Sequence, residues 1–80
     1  MRMTYDPRYN VAYIHLQEHP TNVKTLPISN ELNIDITSDG KVCGIELLNA
    51  NEQLNCVEHG RLILKNAQTG IENELVIHAA

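Results

Sequence analysis

The 80-residue sequence predicts an α+β fold: a small, mostly antiparallel β meander of five short strands, one short helix at about residues 50–58, and two C-terminal strands. Three observations lead there. Asp39-Gly40 separates two runs of alternating apolar residues, the mark of a tight hairpin. After Leu48 the apolar period lengthens from two to the helical interval, with Ala50, Leu54 and Val57 recurring behind Asn49. The hydrophobic content, 42% of the chain, is Ile, Leu, Val and Ala with three Tyr and no Phe or Trp, an aliphatic set that leans to β structure.

The elements follow in order. Arg2 to Tyr5 forms a first strand, stopped by Asp6-Pro7, where proline fixes φ and removes a donor. Val11 to Gln17 is the second, with Ala12, Ile14 and Leu16 on one face and Val11, Tyr13, His15 and Gln17 on the other. A polar connection through Pro20 leads to Val23–Ser29, where Pro27 offers no amide to a ladder and places the strand at a sheet edge. If Asp39-Gly40 is a two-residue loop, Ile36 faces Cys43, Ile34 faces Ile45 and Leu32 faces Leu47. The other side of that register sets Thr37 opposite Val42, Asp35 opposite Gly44 and Asn33 opposite Glu46.

Asn49 and Glu52 have capping-box spacing, and Gly60 is expected as the left-handed residue that closes the helix. Two strands, Arg61 to Lys65 and about Glu72 to His78, flank Asn66-Ala67-Gln68-Thr69-Gly70. A loop of four or five residues sets Leu62 opposite Asn73 or Glu74, which strands apolar side chains and suggests that one of these strands pairs with a second subunit. The whole is expected to be a single domain over residues 1–80.

Composition narrows function. Six basic against ten acidic residues give a net charge of −4, the wrong sign for a phosphate-binding surface, so direct nucleic-acid binding is not expected. Apolar runs such as Leu62-Ile63-Leu64 are too short to span a bilayer, and Met1-Arg2-Met3 does not open a signal-peptide core; the expected location is the cytoplasm. Cys43 and Cys56 read as buried thiols of a reducing compartment. So short a chain buries a marginal core, and a homo-oligomer, a dimer first, is expected.

No catalytic residue, metal ligand or cofactor is assigned. His15 and His19 have the spacing of a helical zinc pair but lie on a strand and before Pro20, where they do not converge. Cys56 and His59 fall three apart on the expected helix, but Glu52 and Glu58 would raise a thiol pKa, so a Cys/His enzyme is the weakest reading. The candidate site is the strand face around Asp35, where Gly44 opposite leaves room for a ligand or a partner's backbone. Tyr5, Tyr13 and Glu46 complete the candidate residues, for a small-molecule or metal-binding role or for protein contact. The plainer account is that Gly44 marks a bulge and Asp35 is a solvated strand carboxylate or a turn cap.

Two blocks carry a family resemblance. Tyr5-Asp6-Pro7 with Asn10-Val11-Ala12-Tyr13-Ile14-His15-Leu16, and Ile34-Asp35 through Asp39-Gly40 to Gly44-Ile45-Glu46-Leu47-Leu48-Asn49-Ala50, resemble domain of unknown function 2283, a family of small bacterial proteins. The resemblance covers about residues 1–50 as a family-like β core, with residues 51–80 as a helix and strand extension. It implies a small β-rich domain with no established activity. Members are often encoded beside small proteins that look like toxins or nucleases, which implies a non-catalytic regulatory, antitoxin-like module with a protein partner encoded nearby.

Overall fold

A computed structural model describes residues 1–56 and 60–78. The strands are β1 (Arg2–Asp6), β2 (Val11–His15), β3 (Lys24–Ser29), β4 (Leu32–Ile36), β5 (Val42–Leu48), β6 (Gly60–Lys65) and β7 (Glu72–Ile77), with one helix, α1 (Ala50–Gln53), between β5 and β6. The α+β class stands. The first five strands form one antiparallel sheet in the order β1-β2-β5-β4-β3, and β6 and β7 form a separate hairpin. That order is not the sequential one of a simple meander, which would place β3 between β2 and β4. Pro27 has no amide for a second neighbour, so β3 takes the edge and β5, with Ile45 and Leu47 facing Ile14 and Ala12, takes its place beside β2.

The register sorts the sheet into two faces. Met3 and Tyr5, Ile14 and Ala12, Ile45 and Leu47, Ile34 and Leu32, and Leu26 share one side. Tyr13, His15, Glu46, Gly44, Asn33, Asp35 and Thr25 share the other. Little covers the apolar side. Among the described residues, the buried apolar side chains are Ala12, Cys43, Ala50 and Cys56, all small. The radius of gyration, 14.2 Å, exceeds the roughly 11.6 Å of a compact chain this long.

The central hairpin differs from the expected one at its tip. Leu32–Leu47, Asn33–Glu46, Ile34–Ile45 and Asp35–Gly44 pair as the alternation requires, but Ile36 pairs with Val42. The Gly40 amide donates to the Thr37 carbonyl (2.9 Å) and the Thr37 amide to the Lys41 carbonyl (2.9 Å), so the loop has three residues, Ser38, Asp39 and Gly40, with Gly40 at φ 86°. A three-residue loop closing on a left-handed glycine is a type I turn with a bulge. The extra residue shifts the register by one, and a second bulge at Cys43 shifts it back. Cys43 stays buried, with its thiol donating to the Asp35 carbonyl (3.4 Å), rather than facing Ile36 as a ladder partner.

Helix α1 is shorter than expected. It ends because Asn55 adopts the left-handed conformation (φ 53°) directly after Leu54, the role assigned from the sequence to Gly60. Gly60 instead opens β6, where a β-carbon would overlap the Leu54 carbonyl oxygen. Val57, Glu58 and His59 lie outside the described residues, and with them the expected Cys56/His59 pair. In the C-terminal hairpin Leu62 faces Leu75, not Asn73 or Glu74. The Asn66 amide donates to the Ile71 carbonyl (2.9 Å), extending the ladder one rung beyond the strands and leaving the four-residue loop Ala67–Gly70. Among the described residues, no helix is long and apolar enough to cross a membrane.

Candidate functional site

The polar face of the sheet gathers four of the five candidate residues. Cross-strand pairing sets Tyr13 beside Glu46 and Asp35 beside Gly44, with Tyr13 and Asp35 on strands flanking β5. Because Gly44 has no side chain, the phenol of Tyr13 reaches across β5: a β-carbon at Gly44 would overlap its hydroxyl and come within 2.8 Å of its ring. The hydroxyl donates a hydrogen bond to one carboxylate oxygen of Asp35, and Thr25 Oγ1 donates to the other at 2.6 Å. The room beside Asp35 is therefore filled by Tyr13, and a ligand approaching the carboxylate there must displace the phenol. Burial, then the hydrogen bond to Asp35 and its charge, push the Tyr13 pKa up to about 12. Asn33 Nδ2 donates to Glu46 (2.9 Å) on the next rung, and the Tyr13 and His15 rings lie 4.4 Å apart, tilted by 56°.

Tyr5 belongs elsewhere. It stands on the apolar face, where its hydroxyl donates to Asn51 Oδ1 and lies beside the Cys56 thiol. Hydrogen bonding with Cys56, then desolvation, pushes the Tyr5 pKa up to about 12. Cys56 and Cys43 are both free and buried. Among the described residues no group of three or more His, Cys, Asp and Glu side chains stands ready to hold a metal ion.

Asn10, which the sequence places only within the family-like block, organises this corner. Asn10, left-handed at φ 59°, ends the β1–β2 turn and caps α1 from outside it: its carbonyl accepts from the Ala50 amide (3.0 Å) and its side-chain oxygen from the Asn51 amide (2.6 Å). Asn10 Nδ2 donates to Asn49 Oδ1 (3.2 Å), while Asn49, itself at φ 56°, donates from its side chain to Glu52 (2.9 Å) and makes no side-chain cap of its own. The expected capping box is thus replaced by a cap from the β1–β2 turn, which lies beside the end of β5. At the same turn Asp6 accepts from the Arg8 amide (3.0 Å) and guanidinium (3.1 Å), and the Arg8 side chain holds the Asp6 pKa below its ordinary value. The two sequence blocks, Tyr-Asp-Pro and Asn-Ala, meet here in space. The signal is an asparagine three residues after a strand-ending Asp-Pro, paired with a distant helix start that no local pattern connects to it.

None of the curated proteins and none of the solved structures matches this chain. The family model described as "Protein of unknown function (DUF2283)" matches residues 2–51, the five-stranded sheet and the start of α1, and the chain belongs to that family.

Proposed function

We propose that this chain is a non-catalytic protein-binding module of a regulatory, antitoxin-like kind, with a basic protein such as a toxin or nuclease encoded beside it as partner. The observation that carries the reading is an apolar sheet face whose large side chains are only half-buried, next to a hairpin whose Leu62, Leu64 and Leu75 are exposed by 52%, 70% and 60%. Contiguous exposed apolar surface of this kind is what protein contacts cover. The charge of −4 and the ordered carboxylates of Asp35 and Glu46 on the polar face favour a basic partner, because complementary charge steers encounter. The Tyr13–Asp35–Thr25 network gives that face a structural task, which weighs against the small-molecule reading.

The test is co-expression with the product of the adjacent gene. The expected result is a stoichiometric complex in size-exclusion chromatography that weakens with added salt, and relief of any growth arrest the neighbour causes. Two purified proteins that elute separately at tens of micromolar, with growth arrest unrelieved, would refute the proposal.

A further inference from the structure

We propose that the C-terminal hairpin is an exchange arm, and that its occupant is a second copy of this chain, each copy laying its leucine ladder on the other's apolar sheet face. The inference rests on the protein-binding reading above and names the first partner. Cross-strand pairing puts Leu62, Leu64, Leu75 and Ile77 on one side of the hairpin. The opposite side carries the charges, already paired as Arg61–Glu74 (3.3 Å) and Lys65–Glu72 (3.7 Å). The ladder side is free of charged residues, so two copies with the same net charge can meet there without opposing like charges.

Within one chain the arm does not close onto its own sheet. Open grooves run along it: one of about 340 Å³ between β6 and the Met3 and Ile14 end of the apolar face, another of about 530 Å³ between β6 and the Leu54–Asn55 turn. An isolated two-stranded hairpin is marginal in water, so it needs a surface to lie on. Each chain therefore presents both an exposed apolar arm and an apolar face that its own fold only half covers, and a two-fold exchange satisfies both at once.

The area agrees. The chain exposes 6103 Å², whereas a folded monomer of 9.0 kDa is expected to expose about 4,850 Å². The excess, about 1,250 Å² per chain, gives roughly 2,500 Å² when two copies bury it, within the range of obligate homodimers.

Sedimentation equilibrium of the full chain tests the idea, with a dimer of roughly 18 kDa, twice the 9.0 kDa chain, as the expected species. Leu64 makes little contact within one copy, so Leu64→Glu leaves a single chain intact yet is expected to raise the dimer dissociation constant by about 100-fold or more. Glu74→Gln, on the charged side, should leave it unchanged. Should Leu64→Glu precipitate, isotope-filtered NOEs on a mixed-label wild-type sample decide the matter: contacts between hairpin leucine methyls and Ile14 or Met3 of the other copy support the exchange. A wild-type chain that stays monomeric at hundreds of micromolar overturns it, as does a dimer indifferent to Leu64→Glu or lacking those NOEs. A monomer that still binds the neighbouring gene product would sink the exchange and spare the partner reading; a dimer that ignores that product would do the reverse.

Discussion

Asn10 shows how one side chain ties two distant stretches together. Its left-handed backbone and its cap on Ala50 and Asn51 are separable by substitution. Asn10→Gly keeps the backbone conformation and removes the side-chain acceptor, for a loss of roughly a few tenths of a kcal/mol. Asn10→Ala removes the acceptor and strains the left-handed backbone, for about 2–3 kcal/mol. Urea unfolding should rank wild type above Asn10→Gly and Asn10→Ala lowest; equal losses would mean that the turn relaxes out of the left-handed region. The tyrosines make a second prediction. Folding raises the pKa of Tyr5 and Tyr13 from 10.0 to about 12, so their neutral forms are favoured in the native state. That contribution is complete below pH 10 and is lost as the pH climbs through about 12. Alkaline unfolding followed by circular dichroism should set in across that window and be shallower in Tyr13→Phe; an unchanged profile would show that burial and Asp35 do not keep the phenol neutral in the native state.

At the scale of elements, the hairpin between β4 and β5 was legible in its register and not in its loop. Four apolar-polar rungs over Leu32–Asp35 leave one pairing that keeps Leu32, Ile34, Ile45 and Leu47 on a common face. The tip obeys weaker forces, and Asp39-Gly40 serves equally in a two-residue loop or at the end of a three-residue one. The choice falls to the bulge at Cys43, which buries the thiol and restores the phase. The helix end and the start of β6 show a similar ambiguity. The sequence points to Gly60 as the helix stop, but Asn55 takes the role, and Gly60 is needed where the chain passes the Leu54 carbonyl. The Leu54 carbonyl carbon would stand 3.0 Å from a β-carbon there, and backbone cannot step aside as a side chain can. Gly60→Ala is therefore expected to cost about 2–3 kcal/mol in chemical denaturation. A loss below about 0.5 kcal/mol, the level of a neutral surface change, would mean that β6 does not pass so close to the turn.

For the whole molecule the governing fact is size. A chain this short cannot lay a second layer over a five-stranded sheet with a four-residue helix, and the remaining two strands stand off as a hairpin. Thermal stability governed by a dimer would rise with protein concentration, because association is coupled to folding.

What the sequence determined by itself was local: strand positions, the edge status of β3, the two faces of the sheet, the register at Asp35–Gly44 and the family blocks. These follow from alternation, proline chemistry and turn residues, which act over a few neighbours. The tertiary structure alone decided the β2–β5 pairing, the cap that Asn10 lends to α1, the filling of the Gly44 space by Tyr13 and the separation of Tyr5 from the other candidate residues. Each of these joins residues more than twenty positions apart, where no periodicity carries information and the outcome depends on which partner satisfies a hydrogen bond or fills a gap.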